Sequence, residues 1–355
     1  MTAGEGSAKA AAPRLFGVDA ARGLALLGMF VAHTLFVGGE KIVDGRSAIL
    51  FATVAGVSLG LLSGRAHPPD GRERVQPRLV ILARGVALVV IGVALTTVLQ
   101  PPIAVILDFY GFGFLVLLSV LFLPRAVLAV IGVLVAVVAP PVVSLITGAV
   151  AFEQVPEPLQ LFARWLFYGE YPMLVWFAYL LAGLVLARSD LGKRSTALLA
   201  IVAGSLSAVL GYGAAHLIPG VTAAAHSDTT AEVFGSGGVA VAVIGILSLL
   251  DSSAAGTIGD RVTRVLRFVL APLAAAGAMA LTLYTAHAIL LTIVRAAVEQ
   301  QGRWQMPDWV LPTLIIGSLV IAPLWRRFIG TGPLEALLRA FARLVSRSPR
   351  PKVAP

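Results

Sequence analysis

The sequence predicts an all-α, polytopic membrane bundle of about ten transmembrane helices, with both termini cytoplasmic. Three observations point there. Of 355 residues, 58% are hydrophobic and only 13% charged, and the mean hydropathy of +0.92 lies outside the habit of soluble domains. Apolar stretches recur near the length of about 20 residues that crosses a bilayer, and none alternates as a barrel strand would. Lysine and arginine gather in alternate connections, so the net charge of +9 reports positive-inside orientation and leaves no basic excess for nucleic acid.

Composition also closes off several chemistries. There are no cysteines, which excludes disulfides, thiolate ligands and cysteine nucleophiles. The five histidines, at 33, 67, 216, 226 and 287, contain no His-x-x-x-His or Glu-x-x-His spacing, so no metal is expected. The first apolar segment carries Asp19 and Arg22 and lacks a small-x-small exit, so no cleaved signal peptide is expected either.

Taken in order, residues 1–14 read as a disordered cytoplasmic lead, 15–326 as the transmembrane domain and 327–355 as a basic amphipathic tail. Spans one and two cover about 15–37 and 47–63. The loop that follows holds Arg65, His67, Arg72, Arg74 and Arg78 and is cytoplasmic by charge. Span three, about 79–99, carries Arg84; span four runs to about 123 with Asp108 and Tyr110 in its outer half; span five ends near 146. An outer segment, 147–170, has Trp165 and Tyr168 suited to an interfacial belt. Spans six, seven and eight cover about 171–187, 196–217 and 235–250, with the outer loop His226 to Glu232 before the eighth. An inner loop with Arg261, Arg264 and Arg267 leads to a ninth span, about 268–296, bearing Tyr284 and His287, and a tenth ends near 325. In the tail, Leu334, Leu337, Leu338, Phe341 and Leu344 recur at helical spacing, with Arg339, Arg343 and Arg347 on another face, as in a helix lying on anionic lipid. No internal repeat is evident, which counts against repeat-built transporter folds.

The first span contains the chemistry. Arg22 and His33 are eleven residues apart, which on an α-helix is three turns plus about 20°, so both project from one face. Asp19, three residues before Arg22, joins the same stripe. Each intramembrane charge costs about 2.5–3.5 kcal/mol or more, so the stripe is expected to face the bundle interior and mark a site. Depth sorts the remaining polar residues into an inner group, Asp19, Arg22, Ser58, Arg65 and Arg84, and an outer group, His33, Arg46, Asp108, Tyr110, Tyr284 and His287. Arginine clamps phosphate; histidine takes a proton or the transferred group itself. Each has a plain alternative: Asp19–Arg22 as a packing ion pair, Ser58 as a small helix-contact residue, Arg84 as a snorkelling cation, His287 as a partner of Asp108 or Tyr110, and the His226 loop as solvated chain.

The segment Leu15 to His33 resembles the first helix of membrane acyltransferases: the heparan-α-glucosaminide N-acetyltransferase-like proteins, the YeiB-like group and, more distantly, the acyltransferase-3 family with its arginine and histidine at this spacing. Similarity continues through Gly45–Leu59, Ile106–Gly111, Leu281–His287 and Gly332–Glu335, in order along most of the chain from 15 to about 340. The resemblance implies transfer of an acyl group, acetyl foremost, from cytoplasmic acyl-CoA to an extracytoplasmic sugar, glycan or glycolipid, in the plasma membrane. His33 is then the catalytic residue, with Asp108 and His287 orienting it or holding the acceptor. Asp19, Arg22, Ser58 and Arg84 serve the acetyl-CoA donor, Arg46, Tyr110, Tyr284 and His226 the acceptor, with no metal. Membrane lipids are further partners, no nucleic acid is expected, and a homodimer stays open. The reading from another class is a transporter or flippase for a lipid-linked or anionic solute, with the same stripe as its pathway.

Overall fold

A computed structural model describes residues 14–35, 40–252, 258–302 and 305–346; nearly all of the expected disordered lead, Gly38 and Gly39, and Arg347 lie outside these. Among the described residues there are fourteen α-helices and no strand. In chain order they are α1 (Phe16–Thr34), α2 (Arg46–Leu62), α3 (Val75–Ala94), α4 (Leu107–Leu117), α5 (Arg125–Ala149), α6 (Glu157–Leu166) and α7 (Met173–Arg188). The second half comprises α8 (Arg194–Leu217), α9 (Thr230–Ser248), α10 (Ile258–Val269), α11 (Ala271–Gly277), α12 (Ala280–Glu299), α13 (Val310–Phe328) and α14 (Pro333–Val345).

Seven helices, those containing α1, α3, α5, α8, α9, α12 and α13, are long and apolar enough to cross a membrane, and α2, α4 and α7 are shorter apolar helices. The protein is therefore a helical membrane protein. Its centre is α1, α2, α7 and α9, whose side chains are mostly buried, whereas α5, α8 and α13 turn large apolar residues such as Val130, Leu199 and Ile316 outward. With no hydrophobic drive between helices in lipid, close packing of small residues has to join them.

The helices meet on paired glycines. A Cβ at Gly56 of α2 would strike the Leu180 carbonyl of α7, and one at Gly183 of α7 would strike the Thr53 carbonyl of α2. The same reciprocity joins Gly23 of α1 to Gly277 of α11, and Gly85 of α3 to Gly111 of α4. In each case backbone touches backbone, a fit that a methyl group would wedge open. Two polar ties complete the frame. Asp251 accepts the Phe16 and Gly17 amides, both at 2.8 Å, and so satisfies the free N-terminus of α1 from 235 and 234 residues away. Arg188, 5% exposed, reaches from the end of α7 to the carbonyls that close α2, at Gly60, Ser63 and Arg65, and to the Leu121 carbonyl.

Several expected boundaries move. The ninth apolar run is two helices, α11 and α12, broken around Ala278 and Met279. The break leaves the Gly277 carbonyl without a helical partner, and Arg22 takes it. Span four is helical only over α4, because residues 118–123 form turns ahead of Pro124. The basic connection before the ninth apolar run is the amphipathic helix α10, and the segment 147–170 contains another, α6; charge and short length disguise both as loops.

Gly277→Ala is expected to destabilise the detergent-solubilised protein by about 1–3 kcal/mol as α11 is pushed off α1. Gly317→Ala on α13, where nothing lies within 4 Å of the added carbon, is expected to leave the thermal midpoint unchanged. Equal midpoints for the two variants would show that the glycine contact does not hold the helices.

Candidate functional site

Arg22 ties three helices together. Its Nη1 donates to Asp19 Oδ1 at 2.9 Å and to the Gly277 carbonyl at 3.3 Å, and its Nη2 donates to Ser58 Oγ at 2.5 Å. Ser58 passes its own proton to the Val54 carbonyl at 2.7 Å, so its oxygen is free to accept. This knot forms one wall of a cavity of about 500 Å³ between α1, α2, α3, α4, the α11–α12 break and α14.

Five arginines line the cavity: Arg14, Arg22, Arg65, Arg84 and Arg339. Its two carboxylates are already engaged, Asp19 by Arg22 and Arg14, and Glu335 by the Thr282 amide and hydroxyl. Arg84 does not snorkel away from the bundle. It faces this space, with its Nε buried and without a hydrogen-bond partner in the protein. An excess of cation over anion in a cavity otherwise lined mostly by apolar side chains favours a ligand with several negative charges. At the deep end stand Tyr110 and Tyr284, which the depth argument had assigned to an outer pocket. Tyr110 donates to the Ala48 carbonyl at 2.8 Å, while the Tyr284 hydroxyl accepts the Ile106 amide at 3.3 Å and keeps its own proton for a ligand.

The histidines meet. His33 Nδ1 lies 3.1 Å from His287 Nε2, with the rings stacked at an interplanar angle of 8°. His287 is fully buried, and its Nδ1 lies 3.2 Å from the Tyr284 carbonyl. A carbonyl only accepts, so His287 Nδ1 carries the proton; its Nε2 then accepts from His33 Nδ1–H, and the lone pair falls on His33 Nε2. The relay thus leaves His33 Nε2 as the basic nitrogen. Tyr284 belongs to both parts, with its side chain on the cavity and its carbonyl on the relay.

The other expected site residues are held elsewhere. Asp108 does not pair with His287: Arg164 forms an ion pair with it, and Trp165 Nε1 donates to it at 3.0 Å. Both partners sit on α6, the helix hidden in an apparent loop. Arg46 is engaged by Glu40 at 2.9 Å and Tyr212 at 2.7 Å. His226 donates to the Glu170 carbonyl at 3.1 Å and packs edge-on to Tyr171 and flat on Trp176, so the His226 loop is folded onto the bundle. Glu232 anchors it by accepting the His226 and Asp228 amides, each at 2.8 Å. No group of three or more His, Cys, Asp or Glu able to hold a metal occurs among the described residues. Sequence reasoning missed Arg339, Glu335 and Arg14 as neighbours of the site, and Arg164 as the partner of Asp108. Spacing supplied a signal only for Glu335 and Arg339, four apart on one helical face.

The fold and this pair of connected features define a polytopic helical membrane protein with an internal cationic site. A family model described as a protein of unknown function (DUF418) matches residues 185–344. It is the YeiB-like membrane family, one of the groups the sequence resembles. The matched part contains Tyr284, His287 and the α14 arginines and leaves out α1. No curated protein matches the chain.

Burial, with repulsion from Glu232, raises the Asp228 carboxyl from 3.8 to about 8, against a 3.1 Å hydrogen bond from Trp176 that favours the ion. The folded protein therefore holds a proton that the unfolded chain releases. This contribution is complete below pH 3.8 and is lost as pH rises through about 8. Asp228→Asn keeps an acceptor for Trp176 and removes the charge, so its thermal midpoint should fall less than that of the parent between pH 6 and 9, a range about as wide as the titration. Parallel curves would rule out this assignment.

Proposed function

We propose that this protein is a ten-span acyltransferase of the plasma membrane, with cytoplasmic termini, that takes an acyl group, acetyl foremost, from acyl-CoA and passes it to an extracytoplasmic sugar, glycan or glycolipid. One observation carries the reading. A single face of α1 joins a cavity suited to a polyanion, at Arg22, to a basic nitrogen held by a directed relay, at His33.

The residues suit such a donor. Arg22, Arg84 and Arg339 supply the cationic surface for its phosphates, Asp19 holds the Arg22 fork in place, and Ser58 fixes the other end of that fork. When bound, the donor supplies an acyl thioester, whose carbon–sulfur bond breaks as the acceptor oxygen or nitrogen bonds to the acyl carbon and the thiol leaves with a proton. Arg22 and His33 are about 16 Å apart along the helix, a gap comparable to a pantetheine arm. His33 Nε2 takes the proton from the acceptor, and His287, fixed by the Tyr284 carbonyl, holds the tautomer that makes this possible. Asp108 lies outside this relay, bound to α6, and acts at most on the placing of α4.

Membranes containing the intact protein are expected to transfer labelled acetyl from acetyl-CoA to extracted envelope glycans, and a normally inserted His33→Ala variant to fall by about 100-fold or more. Coenzyme A should also raise the thermal midpoint of the purified protein; a flippase using the same stripe would ignore it. No transfer together with no stabilisation sinks the acyltransferase reading.

Activity is expected to decline toward acid, across the region in which a histidine takes up a proton (ordinarily about 6.5), as His33 Nε2 loses its lone pair. A flat profile of kcat/KM across that region would remove His33 as the base.

A further inference from the structure

We infer that α14 is a clamp on the cavity, and that Arg339 completes with Arg84 a phosphate-binding site at its mouth. The identity of the donor rests on the acyl-transfer reading; the site itself rests on charge and geometry.

The tail helix does not simply lie on lipid. Glu335 Oε1 accepts the Thr282 amide at 3.1 Å, and its Oε2 accepts the Thr282 hydroxyl at 2.5 Å; that hydroxyl oxygen in turn accepts the Leu334 amide at 3.1 Å. Thr282 is in the first turn of α12, where free amides and the helix dipole favour a carboxylate. The latch fixes the start of α14 against α12, and α14 also packs on α3. One turn beyond the latch, Leu338 and Arg339 face the cavity. The opposite face, Leu337, Phe341 and Leu344, stays exposed, as suits a helix seated at the bilayer surface.

Arg339 and Arg22 both act electrostatically on Arg84, and the cavity carboxylates are engaged elsewhere, Asp19 by Arg22 and Arg14 and Glu335 by Thr282. The buried, unpartnered Nε of Arg84 points to the same missing anion. Arg84 and Arg339, brought together by a dedicated latch while the cavity's carboxylates bond elsewhere, are explained by a ligand that carries several negative oxygens. Phosphate is the class that fits guanidinium forks. Its source is either a soluble nucleotide-type donor or an anionic lipid headgroup.

The full-length protein in nanodiscs of zwitterionic lipid, titrated with coenzyme A and with inorganic pyrophosphate, tests this. Wild type should bind and gain thermal stability. Arg339→Gln should bind about tenfold more weakly with its unliganded midpoint unchanged, and Arg339→Lys should recover part of the loss. Glu335→Ala, with Arg339 intact, should lose binding to a similar degree, which separates a clamp from a mere point charge. In nanodiscs containing anionic lipid, a headgroup occupant would stabilise wild type but not Arg339→Gln, and coenzyme A would add nothing. If Arg339→Gln matches wild type toward all of these ligands, the clamp is wrong. Arg339-dependent phosphate binding without any acetyl transfer would leave the clamp standing and remove the acyltransferase reading; transfer by Arg339→Gln with an unchanged donor KM would do the reverse.

Discussion

A guanidinium inside a helical membrane bundle has to be satisfied by its neighbours, and around Arg22 that need organises the fold. Its bonds to Asp19, Ser58 and the Gly277 carbonyl join α1, α2 and α11 at one point. The Gly277 carbonyl is available because the apolar run ends a helix there. Arg22 can reach it because Gly23 and Gly277 bring the two backbones into contact. The helix break, the glycine pair and the arginine are therefore one construction: a side chain on either glycine would part the helices and strand a charge in a low-dielectric interior.

That knot also sets the electrostatics of the cavity. Asp19 is taken up in holding Arg22 and Arg14, and Glu335 in anchoring α14, so neither pairs with Arg84 or Arg339. Arg84 and Arg339 repel one another across the cavity, which is the pattern of a site shaped around a charged ligand.

Much of the inner site was legible because helix geometry converts spacing into depth. Asp19, Arg22, Ser58 and Arg84 were grouped by distance from the basic loops, and all four line one cavity. Depth does not say which helix stands opposite, and there the reading failed. His33 and His287 were assigned to one level, yet their direct contact was not foreseen; Asp108, at the same level, turned to Arg164 and Trp165 instead. The split between α11 and α12 leaves no polar mark because residues 271–280 hold, besides Pro272 and Gly277, only Ala, Leu and Met. An amphipathic pattern on α14 reads equally well as a lipid surface or a protein contact, and only the Glu335–Thr282 latch shows which face turns inward.

Tyr284 and His287 stand on successive turns of α12, and this spacing bears on what the molecule can do. The tyrosine ring closes the deep end of the cationic cavity while its carbonyl fixes the histidine relay. The relay and the cavity therefore share one rigid helix, as Arg22 and His33 share α1. Two such struts set the distance between the cationic cavity and the basic nitrogen. A carrier that moved its solute past this stripe would have to separate α1 from α12 and break the contact between the histidines in each cycle. On the acyl-transfer reading nothing need separate: a ligand long enough to touch both ends bridges a fixed gap, and the rigidity becomes the means by which its reactive end is aimed.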